Sequence, residues 1–139
     1  ELGAGCGLLA AVAAHLGAKA LATDGDEGEM PMLNRNAELF GDSLGLGGLQ
    51  AASFLSWGTK NAEAAHEAAV KGAADAEGVP LLVRDGFDLV VGSDIAYMPV
   101  HIPELAETIA FFLHPDGEAI IVNTAVSTTA NRTETEKLF

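Results

Sequence analysis

Hydrophobic positions along the chain follow a helical spacing in some segments and form short apolar runs in others. The stretch "GLLAAVAAHLGAK" is apolar on all sides and rich in Ala, which predicts a buried helix from about Gly7 to Leu16 with Gly17 as its stop. "KALATD" then predicts a short strand ending at Asp24. In "EGEMPMLNRNAELFG", Met30, Leu33, Ala37 and Phe40 recur at helical spacing, and Gly41 is the expected stop. "LQAASFLSWG" reads as a strand and turn ending at Trp57 and Gly58.

Residues 59–83, "TKNAEAAHEAAVKGAADAEGVPLLV", are low in complexity and dominated by Ala and Glu. Ala favours helix and the stretch offers few large apolar residues, so an exposed helical insertion is expected there. "GFDLVVGSD" is an apolar run bounded by Gly and Asp, the pattern of a strand buried on both faces. "IPELAETIAFFLH" predicts an amphipathic helix with Pro103 near its start. "PDG" predicts a turn, and "EAIIVNTAV" a further buried strand. Helix and strand therefore alternate, which makes the expected class α/β: an open, mostly parallel sheet with helices on both faces.

Composition narrows what such a domain does. The 139 residues suit one domain, and 49% of them are hydrophobic, enough for a core. The longest apolar stretches are broken by His, Gly and Lys before the roughly 20 residues a membrane span needs, so a soluble protein is expected, placed in the cytoplasm with the nucleus as the alternative. Seven basic against twenty acidic residues give a net charge of -13, which repels phosphate backbones and argues against a nucleic-acid partner. Cys6 is the single cysteine, so no intramolecular disulfide forms. His15, His66, His101 and His114 are scattered without metal-ligand spacing, which leaves each a structural or solvated residue and predicts no metal site.

The candidate chemistry lies at the start of the chain. Gly3, Gly5 and Gly7 fall between an apparent strand end and a helix, where open parallel sheets bring backbone close to a ligand. A dinucleotide fingerprint would place its third glycine at the position of Leu8, which weakens a nicotinamide or flavin reading. Asp24, at the end of the next strand, stands where a carboxylate accepts hydrogen bonds from ribose hydroxyls.

With these residues in order, the chain resembles the seven-strand S-adenosylmethionine-dependent methyltransferases. "ELGAGCG" is similar to their first motif, E/D-x-G-x-G-x-G, and "ATD" to the acidic end of their second strand. Two later segments narrow the resemblance to the protein-lysine methyltransferases of lysine-methyltransferase family 16. "LSWG" is similar to the L-[DE]-W-G segment of that group, with Ser56 in place of the usual acid, and "SDIAY" is similar to its D-x-x-Y motif. "SDIA" also stands where methyltransferases of exocyclic base amines carry [DNS]-P-P-[YFW]. The resemblance implies a Rossmann-like sheet and S-adenosylmethionine as cofactor, contacted by Glu1, Gly3, Gly5, Gly7, Asp24, Trp57 and Ser93. It covers most of residues 1 to 58 and 86 to 139, not the insertion. Because Glu1 reads as the end of the first strand, the expectation is a methyltransferase domain truncated at both ends, keeping the cofactor half and losing much of the substrate-recognition apparatus.

In that setting Asp94 is the carboxylate expected to attract an acceptor ammonium, and Tyr97 the neighbour that shapes the acceptor channel. A lysine-bearing protein is the expected substrate. A protein histidine or a small molecule as acceptor, and a non-catalytic nucleoside-binding module, are the alternatives. Substrate identity, degree of methylation and oligomeric state are not encoded in these motifs.

Overall fold

The computed structural model describes residues 1–43, 49–72 and 82–124. Its elements are α1 (Leu8–His15), β1 (Ala20–Asp24), α2 (Met30–Ser43), β2 (Leu49–Phe54), α3 (Thr59–Gly72), β3 (Phe87–Ser93), α4 (Ile102–Phe112) and β4 (Leu113–Val122), with a 3-10 turn at Pro99–His101 before α4. Helices and strands therefore alternate as the hydrophobic pattern predicts. The segment 73–81 of the expected insertion and the end of the chain from 125 lie outside the described residues.

The strands pair as two parallel ladders of two strands each, β1 with β2 and β3 with β4. Residues 1–4 run between them. The Glu1 nitrogen donates to Leu21 O at 2.8 Å, and Thr23 N donates to Glu1 O at 2.9 Å, the staggered exchange of a parallel pair. On the other side Leu2 N donates to Val91 O of β3 at 2.9 Å.

Residues of β1 alternate between two cores, as a strand's period of two requires. Leu21 joins Leu55, Val90, Ile95, Leu105, Ile109 and Phe112, the cluster under α3 and α4. Ala20 and Ala22 join Ala10, Ala11, Ala14 and Leu33, the cluster under α1 and α2. Helices thus flank β1 on both faces.

Several expectations need correction. Helix α1 buries only its Ala face, and Leu8, Val12 and Leu16 are exposed, because small side chains let the helix lie close on β1 while the larger ones point away. Gly41 does not stop α2, which continues to Ser43. Strand β3 is not buried on both faces: Leu89 is 46% exposed and opens onto a groove of about 560 Å³ that Ala10, Ala13, Phe87 and Val91 also line. The apolar run in β4 likewise alternates between half-buried and exposed residues.

"PDG" lies inside β4, yet it interrupts the ladder. Phe87 pairs with Leu113 and Leu89 with Glu118, so four residues of β4, His114 to Gly117, stand between the two pairs where β3 has only Asp88. The extra residues bulge out through Pro115, whose missing N–H suits an unpaired position.

Residues 59–72 do form a helix, and one face of it is core. Ala62 is fully buried and Ala65 and Ala69 pack beside it, while Asn61, Glu63, Ala64 and Glu67 face outward. Ala serves here as a packing residue: its small side chain brings α3 close to α4.

Candidate functional site

The glycine loop is held from three directions. Gly7 takes a left-handed φ of +81° at the start of α1, and a Cβ there would meet Leu33 Cδ1 of α2 at 2.9 Å. Asn36 Nδ2, also on α2, donates to Cys6 O at 3.0 Å. Glu1 Oε2 accepts the Ala10 amide at 2.8 Å, supplying a cap for α1 that no side chain at Gly7 provides. Burial pushes the Glu1 carboxyl above its ordinary range, opposed by that backbone hydrogen bond.

Asp24 fastens the loop to the end of β1. Its Oδ2 accepts from Gly5 N at 2.8 Å and its Oδ1 from Asp26 N at 2.9 Å. Each carboxylate oxygen keeps a second lone pair for a ligand hydroxyl.

Gly3 marks the floor of the site. Its φ is +58°, and a Cβ there would stand 2.6 Å from Ile95 Cγ2 and 3.5 Å from Trp57 Cζ2. Only a residue without a side chain lets the glycine loop, the turn after β2 and the segment after β3 converge.

Trp57 sits on a turn anchored to α4. Gly58 N donates to Thr108 Oγ1 at 2.8 Å, and Thr108 Oγ1 donates to Glu104 O at 2.8 Å. Glu107 Oε2 accepts from Thr59 N at 3.1 Å and Thr59 Oγ1 at 2.9 Å, and these two bonds hold the Glu107 carboxyl below its ordinary range. Asn61 Nδ2 closes the turn on Trp57 O at 2.8 Å.

Asp94, at the end of β3, adopts a left-handed φ of +53°. Asp94 Oδ1 accepts from both the hydroxyl and the backbone amide of Thr124, which lowers its carboxyl pKa. Asp94 N donates to Val122 O at 2.7 Å, so the residue ties the ends of β3 and β4 together. Ala96 N donates to Asn123 Oδ1 at 3.0 Å and fixes the segment that leads to Tyr97, which is exposed.

These elements enclose a cavity of about 630 Å³. Of the expected site residues, Gly3, Asp24, Trp57, Ser93, Asp94 and Tyr97 line it together. Glu1, Gly5 and Gly7 do not: Glu1 caps α1, Gly7 starts it, and Gly5 acts through its amide on Asp24. Ser56, in the position the resemblance gives to an acid, also lines the cavity.

The lining includes residues whose part in a site no motif signals. Asp26, Glu27, His101 and Glu104 belong to it, so among the described residues the wall carries five carboxylates with Asp24 and Asp94 and no Lys or Arg. His101, expected to be structural or solvated, lies with its Nδ1 3.5 Å from Glu104 Oε2. The available signal was position: both follow Tyr97 closely on the way into the first turn of α4.

Among the described residues no helix is long and apolar enough to cross a membrane, and no group of His, Cys, Asp and Glu is arranged to hold a metal ion. No curated protein matches the chain. A family model described as lysine methyltransferase matches residues 1–139. With a glycine loop, an acid at the end of β1 and a carboxylate-lined cavity already in place, that match settles the kinship: the chain belongs to the lysine methyltransferase family.

Proposed function

We propose that the protein transfers a methyl group from S-adenosylmethionine to the side-chain amine of a protein lysine. The observation that carries this reading is the meeting of Gly3, Asp24, Trp57, Asp94 and Tyr97, drawn from four separate segments, around one cavity. Its volume is in the range of small-molecule sites, about 300–1,000 Å³. Its carboxylates favour a cationic donor and a cationic acceptor over a phosphate-bearing one.

The residues present fit such a donor. Asp24 has acceptor capacity left for a ribose diol, Trp57 offers an aromatic face to the adenine, and the loop around Gly3 and Gly5 allows close approach. Ser93 adds a hydroxyl to the same wall. Glu1 and Gly7 support the reading indirectly, by holding α1 and the loop in register. Bonds from residues 1–4 to both ladders support a single open, Rossmann-like sheet in the order β2, β1, residues 1–4, β3, β4. On this reading residues 1–139 form part of one S-adenosylmethionine-binding domain.

When bound, S-adenosylmethionine supplies an electrophilic methyl group on a sulfonium. The protein's task is to align the acceptor nitrogen with that carbon and to exclude water, which accounts for much of the rate of an in-line transfer. A lysine must first lose its proton, at a cost of about 4 to 5 kcal/mol near neutral pH from a pKa of about 10.4. Asp94 and Tyr97 flank the acceptor side of the cavity, and solvent at the open mouth takes the proton.

Calorimetry with S-adenosylhomocysteine tests the cofactor half of the proposal. Incubation with cell lysate and methyl-labelled S-adenosylmethionine, followed by mass spectrometry, tests the acceptor. Methyl groups on lysine are expected. Methylation only at histidine or on small molecules would replace the acceptor, and binding without any transfer would make the protein a non-catalytic module.

A further inference from the structure

The carboxylates around the cavity do not share one condition. Both oxygens of Asp24 accept backbone amides, Asp26 Oδ1 accepts from Gly28 N at 2.8 Å, and Asp94 Oδ1 accepts from Thr124. Glu104 differs. Its side chain is half-exposed, 47% accessible, but its Oε2 faces inward, buried, and accepts no hydrogen bond among the described residues. The nearby donor is His101 Nδ1 at 3.5 Å, well beyond the roughly 2.7–2.9 Å of a charge-assisted N–H···O bond.

A buried carboxylate oxygen without a donor is costly, and a ligand that brings a donor removes the cost. The Glu104 backbone is meanwhile fixed. Its carbonyl accepts from Thr108 Oγ1, and the same hydroxyl oxygen accepts the Gly58 amide next to Trp57. The stem lies against Gly58, where a Cβ would meet Glu104 Cγ at 3.6 Å. Its place on the cavity wall and the missing donor at this one buried oxygen point to a compact cation arriving through the cavity.

We infer that Glu104 is the carboxylate that receives the ammonium group of the acceptor, with His101 at its side. This rests on the methyl-transfer reading and sharpens it. Asp94, whose Oδ1 is committed to Thr124, holds the ends of β3 and β4 and shapes the channel, while Glu104 selects a cationic side chain.

The test uses the purified protein saturated with S-adenosylhomocysteine. n-Butylammonium chloride and 1-butanol are titrated in parallel as charged and neutral stand-ins for the lysine side chain, followed by NMR. The wild type should bind butylammonium and not 1-butanol. Glu104→Gln, which keeps the shape and removes the charge, should weaken butylammonium binding about tenfold or more, about 1.4 kcal/mol. Its affinity for S-adenosylhomocysteine should not change, and Glu104→Asp should recover part of the loss.

Equal binding of the two probes by the wild type overturns the inference without requiring any variant. So does a Glu104→Gln protein that keeps full butylammonium affinity. Failure of the wild type to bind S-adenosylhomocysteine is a separate result, and it removes the methyl-transfer reading together with this one.

Discussion

Gly5 N donates to Asp24 Oδ2 at 2.8 Å, joining two residues 19 apart in sequence. The bond makes the glycine loop and the end of β1 one unit. Asp24→Asn leaves one acceptor oxygen for the two amides the carboxylate now serves, and removes the charge. Hydrogen bonds to charged groups contribute about 1.5–3 kcal/mol, so affinity for S-adenosylhomocysteine should fall roughly 10- to 100-fold. Isothermal titration reads this directly, and unchanged affinity would remove Asp24 from the cofactor site.

Gly3 has no room for a side chain. A methyl group there combines a φ of +58° with a 2.6 Å approach to Ile95 Cγ2. Left-handed strain of about 1–2 kcal/mol and overpacking of about 1–3 kcal/mol add for Gly3→Ala. A lowered thermal midpoint is expected, partly restored by Ile95→Leu, which removes the branch at Cβ. Absence of any rescue would show that backbone strain alone sets the cost.

Thr108 is fully buried and bridges Gly58 N to Glu104 O. Thr108→Val keeps the volume and removes both bonds, leaving the Gly58 amide buried without a partner. The expected loss is about 1–3 kcal/mol of stability. Because the turn carries Trp57, cofactor affinity should fall as well. Urea denaturation and cofactor titration of the same variant separate the two effects, and loss of stability with intact affinity would mean that the turn holds its place without α4.

How much of the molecule was legible in the sequence differs by element. The glycine loop, Asp24 and the D-x-x-Y segment announce themselves because a positive φ, a strand-end acid and a fixed spacing are local properties. Strand β1 reads correctly because its residues alternate between two cores. Glu104 and Thr108 are invisible for the opposite reason: their roles come from a contact between α4 and a turn about 50 residues earlier, which no local period encodes. Helix α3 is legible as a helix but not in its packing. Its Ala-rich composition suggests an exposed insertion, yet Ala62 is fully buried because close helix packing needs a small residue, not a hydrophobic one.

Close packing of α3 on α4 sets a limit on the size of the residue at position 62. Ala62→Leu should cost about 1–3 kcal/mol through overpacking between the two helices. Ala64→Leu, on the exposed side of α3, should change stability by less than about 0.5 kcal/mol. Equal effects in thermal unfolding would return α3 to the status of a surface appendage.

Asp94 gives the fold a dependence on acid. Hydrogen bonds from the Thr124 hydroxyl and amide hold its carboxyl below the ordinary value of 3.8. A carboxyl whose pKa is depressed by folding contributes stability that is present above its unfolded pKa and is lost as pH falls through the folded one. The contribution of Asp94 should therefore be constant at neutral pH and disappear only below 3.8. Asp94→Asn removes the titrating group while keeping an acceptor for Thr124. The stability gap between wild type and variant should hold from neutral pH down to about pH 5 and narrow toward about pH 2 to 3. Glu107, held down by Thr59 in the same way, titrates in both proteins and cancels in the difference. Chemical denaturation midpoints across this range measure the gap. A gap that stays constant into strong acid would mean that the Thr124 contact gives no preference to the ionised carboxylate.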